Sequence, residues 1–199
     1  MKEVAHWRAP RREDFPQPRA GEVVSFLAFH ERGLGYPTHW FLRGLVNEWG
    51  LELQHLNPTR VLHIAGFVTV CEAFLGMEPH VDLFWLFFSG RAMADWSSAE
   101  IAPVGSFALQ RKPSAGSSYL AYIPCDSNQG WHGEWFYIRN LAGAPFPVFT
   151  GGRPVKQKSW SWGCAHVEKH KVETIEEELQ KLVRGGLDGV RLFHTLYRR

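Results

Sequence analysis

The chain has 199 residues, 45% of them hydrophobic and 14% aromatic, with 9 Trp, 14 Phe and 5 Tyr. That length and apolar content suit one compact domain with a sizeable core and exclude a disordered polypeptide. The formal net charge of +2 is too small to mark a dedicated nucleic-acid-binding domain.

Residues 1–20 combine Pro10, Pro16 and Pro18 with several charges, a composition that buries too little surface to offset its ordering entropy, and predict a mobile basic arm. From Gly21 the pattern changes. Val23, Val24, Phe26, Leu27 and His30 fall at helical spacing before Gly33, which predicts a first helix with a left-handed stop. Thr38 is the candidate cap of a second helix bearing Trp40, Phe41, Leu45, Val46 and Trp49, ended by Gly50. Asn57-Pro58 predicts a third, because Asn caps free backbone N–H groups and proline at the first helical position loses no needed donor. Its stripe runs through Val61, Ile64, Phe67, Val68, Cys71 and Leu75 to Gly76. The run Val81 to Phe88 predicts a fourth, largely buried helix, although a run this short also fits a buried strand.

Beyond residue 100 the period shortens. Phe107 to Gln110, Tyr119 to Pro124 and Trp135 to Arg139 read as strands of one small antiparallel sheet, with Ser127 to Gly130 as a hairpin connection between the last two. Residues 142–163 read as an irregular loop held down by Trp160 and Trp162. Thr174 and Glu177 have capping-box spacing ahead of Ile175, Leu179, Leu182 and Val183, and Asp188 is placed to start a last helix. The expectation is an α+β fold: an N-terminal helical half, a small antiparallel sheet in the middle and C-terminal helices. The segments are an arm at 1–20, a main domain at 21–165 and a C-terminal helical segment at 166–199.

Three cysteines, Cys71, Cys125 and Cys164, stand far apart, unlike a secreted disulfide framework, so an intracellular compartment, cytoplasmic or nuclear, is expected. The N-terminus has no apolar signal-peptide core, and Val81 to Phe88 falls well short of the roughly 20 residues of a membrane helix. No membrane association is expected.

Phe29-His30-Glu31-Arg32-Gly33-Leu34-Gly35-Tyr36-Pro37, Phe41-Leu42-Arg43-Gly44-Leu45 and Leu53-Gln54-His55-Leu56-Asn57-Pro58 stand in that order. Leu62-His63-Ile64-Ala65, Phe67-Val68-Thr69 and Cys71 to His80 follow them. This run resembles the plant domain called "putative gypsy-type transposon". With Trp135 to Asn140 and Phe149-Thr150-Gly151 the likeness extends over about residues 20–165. The resemblance implies origin in a long-terminal-repeat element, in a region placed like Gag, and supplies no catalytic residues.

A two-metal nuclease needs converging carboxylates; Asp82, Asp126, Glu134 and Glu177 could be proposed, but no sheet precedes the helices to hold them. Cys164, His166 and His170 are the best metal candidates, with Cys125 or Cys71 as a distant fourth ligand, yet their spacing matches neither a zincin nor a CxxC knuckle and Lys169 and Lys171 oppose a cation. No metal and no cofactor are expected. There is no GxSxG elbow, Cys71 falls on a buried face, and Gly151-Gly152-Arg153-Pro154 lacks a Walker lysine.

Charge is uneven, with +2 over residues 1–20, −4 over 21–150 and +4 over 151–199. Arg153, Lys156, Lys158, Trp160 and Trp162 form the nearest approach to a nucleic-acid patch, pairing cations with stacking rings; buried tryptophans beside a solvated basic loop are the simpler reading. The expected function is a non-catalytic, Gag-like structural domain that associates with itself or with other parts of an element polyprotein. The alternative is an accessory domain that binds RNA or DNA.

Overall fold

The computed structural model describes residues 7–92, 104–120, 129–140, 145–147, 169–188 and 192. It is a mixed fold of helices and two small antiparallel sheets. In chain order the elements are β1 (Trp7–Arg8), β2 (Glu22–Phe26), α1 (Leu27–His30), α2 (Trp40–Glu48), α3 (Pro58–Thr69), α4 (Val81–Phe87), β3 (Phe88–Ala92), β4 (Phe107–Arg111), β5 (Trp135–Arg139) and α5 (Lys169–Arg184).

The expected first helix is a strand for most of its length. Val23, Val24 and Phe26 are β-branched or aromatic, and β2 pairs antiparallel with β5, Val23 opposite Ile138 and Phe26 opposite Trp135. Val23, Val24, Ser25 and Phe26 are all buried, so the strand is covered on both faces. Only Leu27–His30 turns helical. Gly33, at φ +95°, then lets the backbone approach α3, where an added Cβ would meet the Ala65 Cβ at 2.9 Å.

The first sheet has the order β1-β5-β2. Residues 7–20 were expected to be a mobile arm. Instead Trp7 pairs with Ile138 and Arg8 with Tyr137, so the arm supplies the sheet's third strand. The second sheet pairs β3 with β4, Phe88 opposite Arg111 and Ala92 opposite Phe107. The expected strands at Phe107 and Trp135 both form, but in different sheets. Pro113–Ser118 is a 3₁₀ turn leading to buried Tyr119 and Leu120; residues 121–124 lie outside the described residues, as do Ser127 and Asn128 of the expected hairpin. Gly130 adopts φ +72°.

The helices α2, α3 and α4 follow the sequence closely. Asn57 Oδ1 accepts the Arg60 N–H at 3.1 Å, with Pro58 opening α3 as expected. The helix widens into a π-turn at Val70–Phe74, closed by the Leu75 N–H on the Val70 carbonyl, before Gly76. At the other end of the chain α5 spans Lys169–Arg184, so Thr174 lies inside the helix and is not its cap. Leu179 and Leu192 join the same buried cluster as the helical half, and Gly66 of α3 leaves room for Leu192.

The core is organised by rings. Phe84 of α4 lies 5.7 Å from Phe41, 5.1 Å from Phe67, 6.1 Å from Trp49, 5.7 Å from Trp85 and 4.7 Å from Phe88. It therefore joins α2, α3, α4 and the start of the second sheet through edge and stacked contacts. That sheet is seated by a missing side chain: a Cβ at Gly90 would come within 2.3 Å of the buried Phe107 ring. Gly90→Ala is expected to destabilise the protein by about 1–3 kcal/mol through overpacking, measured by urea unfolding. A change below about 0.5 kcal/mol would contradict the tight fit.

Candidate functional site

Among the described residues, polar side chains concentrate at the helix starts, in a buried turn after α2, and on the N-terminal segment against β5. At the start of α2 the cap is His39 and not Thr38. The Phe41 N–H donates to His39 Nδ1 at 3.1 Å, while the Thr38 hydroxyl donates to the Gly35 carbonyl at 3.0 Å. With Nδ1 accepting, the ring proton resides on Nε2, which faces Glu72 Oε1 at 2.9 Å. His80 repeats the arrangement at α4, accepting the Asp82 N–H at 3.2 Å. Sequence reasoning missed both because histidine stands outside the usual capping set; the available signal was a histidine directly before each apolar helical run. His39→Ala is expected to cost about 1 kcal/mol of stability by orphaning a helix-start N–H, which thermal unfolding would register.

The turn Leu53–His55 is a reciprocal capping box. The Glu52 N–H donates to His55 Nδ1 at 2.9 Å, the Glu52 carboxylate accepts the His55 backbone N–H, and Gln54 Nε2 donates to the same carboxylate. All three residues are buried. The Gln54 carbonyl also accepts the Gly105 N–H at 2.8 Å, tying the turn to the chain before β4. These groups hold one stretch of backbone to another.

The third cluster centres on Tyr137 of β5. Arg8 lies 3.6 Å over its ring and grips Glu22 with Nε and Nη2, each at 2.8 Å. The Tyr137 hydroxyl donates to Glu13 and accepts the Gln17 N–H at 2.6 Å. Hydrogen bonding from Tyr137 holds the Glu13 carboxyl below its ordinary pKa, and Arg8 does the same for Glu22. Burial, aided by the bond to Glu13, raises Tyr137.

Among the described residues, those proposed for chemistry are dispersed. Asp82 sits in the first turn of α4, Glu134 immediately before β5, and Glu177 on the exposed side of α5. Cys71 is buried, its thiol pushed up to about 12 by burial and by neighbouring Glu72, which leaves it protonated and unreactive at neutral pH. His63 is pushed down to about 4, first by burial and then by Arg60 and Arg111. Among the described residues, no three His, Cys, Asp or Glu side chains gather closely enough to hold a metal ion. Cys125, Asp126, Cys164, His166 and the basic-aromatic set Arg153, Lys156, Lys158, Trp160 and Trp162 lie outside the described residues.

A shallow hollow of about 210 Å³ opens beside α1, lined by Glu31, Arg32, Trp131 and Glu134 among others. The surface also carries large apolar side chains: Trp7 is 64% exposed, Phe15 77%, Trp40 50% and Leu27 43%. Among the described residues no helix is long and apolar enough to cross a membrane.

No curated protein and no solved structure matches the chain. The segment from β2 to the end of β3, which contains the capped helices and the ring cluster, does match: the family model described as "Putative gypsy type transposon" covers residues 23–92, and over that segment the chain is similar to that family.

Proposed function

We propose that this chain is a non-catalytic, Gag-like structural and interaction domain of a plant gypsy-type element protein, working by association with copies of itself or with neighbouring parts of the element polyprotein. The observation that carries the reading is where its polar and apolar groups are used. Buried His55, Glu52, Gln54 and the capping His39 and His80 close turns and helix ends, whereas Trp7, Phe15, Leu27 and Trp40 remain in water. Large rings on a surface supply contact area at low entropy cost, as in protein interfaces. Light scattering on the purified chain at rising concentration tests the reading: the mass should climb above 22.8 kDa, and a strict monomer would count against it.

A second reading, an accessory domain that binds RNA or DNA, rests on the cations and rings at Arg153, Lys156, Lys158, Trp160 and Trp162. Changing Lys156 and Lys158 to Glu should then weaken retention on immobilised nucleic acid at low salt. Unchanged retention would remove it.

A further inference from the structure

We propose that residues 7–19 form an exchangeable strap through which two copies of this chain join, each laying its β1 strand on the β5 edge of the other. The inference rests on the self-association reading and names its surface and its partner.

The strap's hold on its own sheet is narrow. β1 contributes two residues to the ladder, and the remaining anchors converge on Tyr137 and Glu22: Arg8 over the Tyr137 ring and on Glu22, Glu13 and the Gln17 N–H on the Tyr137 hydroxyl, and the Arg19 N–H on Glu22 at 2.8 Å. These contacts are mostly polar, and each is re-formed when the strap of a second copy takes the same place on Tyr137 and Glu22. The two large rings that the strap carries contribute little to that hold. Phe15 is 77% exposed, and Trp7, 64% exposed, meets Phe136 only edge-on at 6.3 Å.

The connection has length to spare. β1 and β2 flank β5, so they lie about 10 Å apart, whereas residues 9–21 can extend to about 43 Å. A strap released from its own sheet can therefore reach the equivalent edge of a neighbour. The occupant of that edge is specified by the edge itself. It already fits Trp7 and Arg8 in register opposite Ile138 and Tyr137, and a second copy carries the same strand. Closed and exchanged forms share these contacts. What distinguishes them is that the two straps of an exchanged pair cross between the copies, where Trp7 and Phe15 of each gain partners they lack in the closed chain.

The experiment places a photoreactive phenylalanine analogue at position 7, an exposed site that accepts a bulky ring, in both ordinary and nitrogen-15-labelled chains. Equal amounts are refolded together from urea, irradiated at several concentrations, and their cross-linked peptides weighed, with light scattering on the same samples. Mixed-isotope pairs joining position 7 to the Phe136–Ile138 region, increasing with concentration and falling roughly tenfold in Phe15→Ser, are the expected result. Same-isotope pairs alone in samples of dimeric mass would overturn strand exchange while leaving self-association in place. Same-isotope pairs in samples that stay monomeric would overturn both.

Discussion

Phe84→Ala should lower the unfolding free energy by about 3–5 kcal/mol, the range for truncating a buried aromatic. The ring has no exposed surface and touches Phe41, Trp49, Phe67, Trp85 and Phe88. Its removal opens a cavity where three helices and the second sheet meet, and rigid neighbouring rings close such a cavity poorly. Against a total stability of roughly 5–15 kcal/mol, the loss is large, and in a chain of this size it corresponds to a drop of about 6–20 °C in melting temperature. Phe15→Ala, at a solvent-exposed ring, should change stability by less than about 0.5 kcal/mol. Urea unfolding of the two variants beside the wild type separates them. A cost below about 1 kcal/mol for Phe84→Ala would mean that the rings do not form the organising centre.

The second large effect is with pH. The His63 imidazole is held near 4 in the folded chain by burial and by the charges of Arg60 and Arg111, against about 6.5 when unfolded. A depressed value means that the folded chain binds fewer protons than the unfolded one. The associated stability is complete above about pH 6.5 and is lost as the pH falls toward 4, by about 3 kcal/mol for a displacement of this size. His30, lowered by burial and within 2.9 Å of the Ser25 hydroxyl, adds to the loss in the same direction. Glu13 and Glu22, held below their ordinary values, act in a lower window: their contribution is present above about pH 4.5 and fades below it. Urea midpoints measured between pH 7.5 and 4.5 should stay nearly level down to about pH 6.5 and then fall, more steeply for the wild type than for His63→Gln. Equal slopes in the two proteins would refute the assignment to His63.

How much was legible in the sequence depended on whether the determining contacts are local. Asn57-Pro58 announced α3, and Gly50 and Gly76 marked the ends of their helices, because a cap or a left-handed stop is written within one turn of the chain. β2 was misread because Val23, Val24 and Phe26 satisfy helical and extended spacing alike, and the deciding partner, Trp135–Arg139, lies more than a hundred residues away. Residues 7–20 have the composition of a free arm, and their own apolar burial is indeed slight. Arg8 and the Tyr137 ring dock them, a pairing that no local pattern contains. The turn at Glu52 to His55 hid for another reason: each of its polar groups looks solvent-seeking in sequence, and only their mutual satisfaction allows them to be buried.

In the proposed function, polar groups maintain the architecture while surface rings make the contacts with other molecules. Sedimentation velocity of the wild-type chain and of the Phe15→Ser, Trp40→Ser double variant, over a hundredfold range of concentration, tests this most directly. The sedimentation coefficient is expected to increase with concentration for the wild type and to stay at the monomer value for the variant, with both melting at similar temperatures. A wild-type chain that remains a 22.8 kDa monomer throughout, or a variant that associates as strongly as the wild type, would contradict it.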